Sequence, residues 1–178
     1  MKLLLIFLFL PAFCFSEINK VDSIKNDGPC SHIEYTYNEF HHTKQYNTAI
    51  SLPISIADTS YYSNYNAVFY KYIEKGQTTY YLSLSTVTTV PDVNRKGVII
   101  ILKNGRRINK PNEIVKTEVE TIRGESEYVV ESFIRLLPND ILLLKSSPLK
   151  KFELYVDQDV VSQNDAIFQM FLCLVNKK

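Results

Sequence analysis

Val98-Ile99-Ile100-Ile101-Leu102-Lys103-Asn104-Gly105-Arg106-Arg107-Ile108 is the stretch whose reading decides the fold. Five consecutive apolar residues followed by Asn-Gly describe a strand running into a reversal. The unbroken apolar run fits a strand covered on both faces. Asn104-Gly105 tolerates the positive φ angles of a type I′ turn, so the run should pair with a short strand at residues 106–108. The dominant secondary structure is therefore a hairpin.

Working outward, a period of two recurs. Ile33, Tyr35 and Tyr37 alternate with Glu34, Thr36 and Asn38. Tyr80, Leu82 and Leu84 alternate with Tyr81, Ser83 and Ser85. Val130, Ile134 and Leu136 share a face, with Glu131 and Arg135 on the other. Phe152, Leu154 and Val156 alternate with Glu153, Tyr155 and Asp157. Successive strand side chains point to opposite faces, so these are half-buried strands. Residues 67–73 and 114–122 read as further strands; residues 48–56 read as an edge or bulged strand because Pro53 cannot donate to a ladder. Glu74-Lys75-Gly76-Gln77 and Arg123-Gly124-Glu125-Ser126 read as hairpin turns. The expected fold is mainly β, an antiparallel β-sandwich or barrel-like sheet.

Two helices complete the chain. Pro138-Asn139-Asp140 before Ile141-Leu142-Leu143-Leu144-Lys145 predicts one short helix, with its acid at the start and its base at the end. Ser162-Gln163-Asn164-Asp165 resembles a capping box. Beyond it Ile167, Met170, Phe171 and Leu174 fall at helical spacing, so a C-terminal helix should lie on the sheet.

The first sixteen residues read as an address. Met1-Lys2 precedes an apolar run at residues 3–10, which Pro11 breaks. Cys14-Phe15-Ser16 supplies small side chains before Glu17. That is the order of a secretory signal peptide, with cleavage after Ser16. The run is shorter than the roughly 20 residues a membrane anchor needs, so no transmembrane segment is expected after cleavage. Lipidation at Cys14 is the competing reading, and Phe13 stands where a small residue is wanted. Residues 17–28 read as a flexible arm and residues 29–178 as one β-rich domain. The expected location is the periplasm or the exterior.

Cleavage leaves Cys30 and Cys173, one near each end. An even pair in an exported chain is a candidate disulfide. Closing so long a loop is worth about 5 kcal/mol in the chain-entropy account.

Composition narrows the functional classes. The chain of 178 residues carries 20 Lys+Arg against 19 Asp+Glu. Losing Lys2 with the signal balances them. No nucleic-acid partner is expected, since that usually demands a basic surface. No phosphate-cradling glycine motif is present. His32, His41 and His42 lack metal-site spacing and read as exposed loop histidines, so no metal or other cofactor is expected. Gly124-Glu125-Ser126-Glu127-Tyr128 only partly matches a nucleophile elbow and reads as a turn.

The tyrosines are the informative group. Seven of the 12 lie between residues 61 and 81. Tyrosine offers a large apolar face with a polar tip, which suits binding patches. Tyr61, Tyr62 and Tyr65 are the candidate binding residues, for a protein or glycan ligand. Tyr70, Tyr72, Tyr80 and Tyr81 read as cross-strand pairs holding the sheet.

Cys30, Asn38-Glu39-Phe40, the apolar run ending in Asn104-Gly105, and Cys173 together resemble a loose group of small exported proteins of Bacteroidota to which no function is attached. His41-His42 stands where that group tends to have Thr-Gly, and Pro138 where Thr is common. The resemblance implies the fold and export, and no activity. The functional expectation is an exported non-catalytic binding or structural module of unknown ligand. Its rivals are a hydrolase of envelope polymers or glycans using carboxylates gathered by folding (Asp157 with Asp159, or Glu118 with Glu120) and an inhibitor of an exported enzyme acting through residues 61–66.

Overall fold

The computed structural model describes residues 28–48, 66–88, 95–122 and 125–177. The expected signal peptide, most of the expected arm, most of the strand expected at 48–56, and Tyr61, Tyr62 and Tyr65 lie outside them.

Nine strands form one antiparallel sheet curled into a half-barrel, with two helices. The chain runs β1 (Glu34–Asn38), β2 (Thr43–Asn47), β3 (Ala67–Glu74), β4 (Gln77–Thr88), β5 (Arg95–Leu102), β6 (Arg107–Ile122), β7 (Glu125–Leu136), α1 (Pro138–Ser146), β8 (Leu149–Leu154), β9 (Asp157–Val160) and α2 (Asn164–Asn176). The spatial order is β1-β2-β3-β4-β7-β6-β5-β8-β9. Of the two expected architectures, the curled single sheet is the one formed. Its concave face is closed mainly by α2 rather than by a second sheet.

That closure follows from the alternation. Phe69, Leu82, Leu84, Val130 and Ile134 sit on one face and are all buried. Across the bend Val98, Ile100, Leu102, Phe152 and Leu154 continue the same interior. Ile99 and Ile101 are half-buried on the opposite face, so the continuous apolar run is covered fully on one side only. Ile167, Met170, Phe171 and Leu174 bring the buried stripe of α2 onto this interior. Phe171 meets Phe69 with ring centroids 4.3 Å apart. Burying four such side chains contributes on the order of 1.5–3 kcal/mol each.

The disulfide expected between Cys30 and Cys173 is formed, with Cα atoms 5.4 Å apart and 143 residues between them in sequence. It ties the 3₁₀ turn Pro29–His32 to α2. Beneath the end of α2 lies Lys71, 4% exposed. Its ammonium donates to the Leu174 carbonyl at 3.4 Å and to that of Lys177, which caps the negative end of the helix. Tyr46 and Tyr80 hold the same ammonium between their rings.

Three local expectations are corrected. The reversal at Asn104-Gly105 is a three-residue turn with Gly105 alone at positive φ (83°), and the Gly105 N–H donates to the Leu102 carbonyl. Asn104 instead ties the turn to the end of α1, where Ser147 Oγ accepts from its backbone N–H at 3.1 Å. The two-residue reversal with both positions at positive φ is Lys75-Gly76. Second, residues 107–108 and 114–122 belong to one strand, β6. It passes through Pro111 because the ladder with β5 is interrupted there. Three residues, 111–113, oppose Gly97 alone, so the missing proline N–H falls in a bulge. Third, the Ser162 hydroxyl does not cap α2. It donates to Asn66 Oδ1 at 3.3 Å, and Gln163 takes the cap position at positive φ.

Asn66 also closes the curl. Its side-chain amide donates to Asp159 Oδ2 and to the Val160 carbonyl, each at 2.9 Å. Thr86 donates to the same Asp159 oxygen at 3.2 Å. The edge strand β9 is thereby pinned to the start of β3 and the end of β4. At the other end of β9, Asp157 pairs with the buried Arg95.

Candidate ligand-binding face

The convex face of β1, β2, β3, β4 and β7 gathers what the sheet's interior does not use. Register places Tyr70 opposite Tyr81 and Tyr72 opposite Thr79 and Gln45. Phe133 lies opposite Ser83 on the same face. The four rings form a closed circuit. Tyr81 and Phe133 stack at 4.9 Å, Tyr70 and Tyr72 at 6.3 Å. The edge-to-face pairs Tyr70–Phe133 and Tyr72–Tyr81 complete it at 5.3 and 5.5 Å. Each such contact adds about 0.5–1.5 kcal/mol beyond area burial and fixes the rings in place. Phe133 nevertheless remains 47% exposed.

Beside the rings lies an open depression of about 550 Å³, walled by Tyr72, Tyr81 and Phe133. Thr43, Gln77 and Thr79 supply polar groups, and Glu74 and Lys75 stand at the hairpin end. A second depression of about 390 Å³ adjoins it and shares Thr43, Tyr72 and Glu74. It runs on over β2 and β1, past Gln45, Thr36, Asn38 and His41. Together the two cross five adjacent strands, a span of about 19 Å at the usual inter-strand spacing.

Burial raises the phenol pKa of Tyr70, which Tyr72 and then the carboxylates of Glu131 and Glu34 push up further. Burial also raises that of Tyr72, with Tyr81 adding to it. Both phenols therefore keep their protons, and can donate hydrogen bonds, well beyond neutral pH.

Tyr70, Tyr72 and Tyr81 do form cross-strand aromatic pairs, and they also border or wall the depression. Tyr80 points the other way, into the core. The pattern that would have exposed the patch was already legible: Phe133 is an aromatic on the face of β7 that carries Glu131 and Arg135. The polar lining from β2 could not be found without recognising that strand.

The other candidate groups go elsewhere. Asp157 and Asp159 are engaged with Arg95 and with Asn66 and Thr86. Glu118 is exposed on β6. Among the described residues lining the depressions, Glu74 is the one carboxylate. His42 Nδ1 meets the Tyr37 hydroxyl at 3.0 Å, and no metal-binding cluster occurs among the described residues. No helix among them is long and apolar enough to cross a membrane. Compared with known protein families, curated proteins and solved structures, the chain matches none.

Proposed function

We propose that this protein is an exported, non-catalytic binding module whose ligand lies on the convex face of β1-β2-β3-β4-β7. One observation carries the reading: a half-exposed aromatic circuit stands at the wall of a trough lined by hydroxyl and amide groups. Ligand sites combine apolar surface with a few converging polar groups in this way. A disulfide, together with the absence of a membrane-spanning helix among the described residues, is compatible with export.

The binding test compares the protein with a Tyr72→Ala/Phe133→Ala variant, both checked for cooperative unfolding. Oligosaccharides and cross-linked envelope proteins are offered to each. A ligand held by the parent and lost by the variant supports the reading; a ligand held equally by both removes it from this face. Export is tested by N-terminal sequencing of the protein recovered outside the cytoplasm. The expected first residue is Glu17, and retention of Met1 would overturn the export assignment.

A further inference from the structure

We infer that the ligand of this face is an uncharged oligosaccharide lying across the strands. The inference rests on the reading of the convex face as the binding surface and adds the chemistry of what it holds.

Three features of the trough converge on that class. Its apolar element is aromatic. Tyr72, Tyr81 and Phe133 present rings to the depression, and rings accept the C–H face of a pyranose. Its polar element is neutral: Thr36, Asn38, Thr43, Gln45, Gln77 and Thr79 carry hydroxyls and amides that both donate and accept. Sugar hydroxyls need that dual capacity. Among the described residues, no side-chain hydrogen bond engages Gln45, Gln77 or Thr79, so these groups are available to a ligand.

Charge is the third feature. Glu74 and Lys75, the charged pair in the lining, are adjacent and opposite in sign, so the lining side chains offer no net formal charge to an anionic or cationic polymer, and the carboxylates of Glu131 and Glu34 act around Tyr70 beside it. Shape agrees. An open trough crossing five strands suits a short chain rather than a single sugar. It lies on the face of the sheet, where an extended peptide could not add backbone hydrogen bonds as it does at an edge.

The test is calorimetry of the purified protein with cellohexaose, laminarihexaose, maltohexaose, mannohexaose and chitohexaose, with hexagalacturonate as a charged control. The expected result is binding to at least one neutral hexaose, unchanged between low and high salt. Tyr72→Ala should weaken it on the order of tenfold, the scale of one lost ring contact. Tyr72→Phe and Glu74→Gln should leave it within about threefold, because the ring and the hydrogen-bonding capacity remain. Gln45→Ala, a surface truncation that leaves the core intact, should weaken it measurably even if Tyr72→Ala unfolds the protein.

Binding to none of the neutral hexaoses overturns the ligand class, as does binding that is lost in salt and abolished by Glu74→Gln. The face itself then stands only if another ligand is lost on Tyr72→Ala. Neutral binding unaffected by both Tyr72→Ala and Gln45→Ala overturns the inference and the face together.

Discussion

Removing the Cys30–Cys173 bridge should destabilise the protein chiefly by freeing its unfolded chain. The bond spans 143 residues and encloses all nine strands. In the chain-entropy account, opening a loop of that length releases about 5 kcal/mol of conformational freedom to the unfolded chain at 25 °C. The native state loses less. α2 stays anchored by Ile167, Met170, Phe171 and Leu174, and only the turn Pro29–His32 is freed. The cost therefore lies mainly in the unfolded state. Urea titration of the Cys30→Ala/Cys173→Ala variant beside the oxidised parent reads it directly. With a slope near 2 kcal/mol/M, 5 kcal/mol corresponds to a midpoint lowered by about 2.5 M. The slope itself should rise, because the uncrosslinked chain exposes more surface. A midpoint shift below about 0.5 M with an unchanged slope would refute the reasoning. It would mean that the bridge restrains an unfolded chain already compact enough not to notice it.

Phe171→Ala should cost about 3–5 kcal/mol in the same assay, because the ring is 1% exposed and its loss leaves a void against Phe69. Asn66→Ala should cost about 2 kcal/mol, and native-state hydrogen exchange should quicken in β9 before it does in β3. Alkaline pH should destabilise the fold. Tyr46, Tyr70, Tyr72 and Tyr80 all have pKa values raised above 10.0, chiefly by burial. Their folded forms hold protons that the unfolded chain releases, so this stability is complete below pH 10 and is lost as pH rises through the folded values. Lys71 acts in the opposite sense: burial and then Lys177 lower its pKa, so its contribution improves as pH rises towards 10.5. Above pH 10.5 Lys71 adds nothing further while the tyrosine contributions go on falling, so stability declines there, to be followed by unfolding midpoints between pH 9 and 12 alongside tyrosinate absorbance.

Much of this architecture was legible because its determinants are local. The stripe Ile167, Met170, Phe171, Leu174 needs only helical periodicity to be found, and it lands where expected. Lys75-Gly76 needs only the turn's own backbone. The bridge was readable by arithmetic, since cleavage would leave one pair. What escaped depends on neighbours. β2 is Thr-Lys-Gln-Tyr-Asn, a poor strand by composition, and it is held as one by pairing with β1 and β3. Residues 106–108 and 114–122 read as two strands, and only Gly97 across the ladder shows how one strand runs on through Pro111. Ser162 carried the side chain of a cap, but Asn66 lies 96 positions earlier and takes it instead. The candidate site shows only in part for the same reason: Tyr70, Tyr72, Gln77 and Tyr81 come from one hairpin, but Asn38, Gln45 and Phe133 join them from three other strands far along the chain.

The pin between Asn66 and Asp159 also bears on how the molecule assembles in time. The hairpins β3–β4 and β8–β9 close over a few residues, while the pin joins points 93 residues apart. Contacts that distant must wait for nearer ones to prepay their entropy. The curl should therefore form late in folding. Since interactions absent from the transition state mainly set the rate of escape, loss of this pair of side chains should shorten the lifetime of the folded molecule more than it slows its formation.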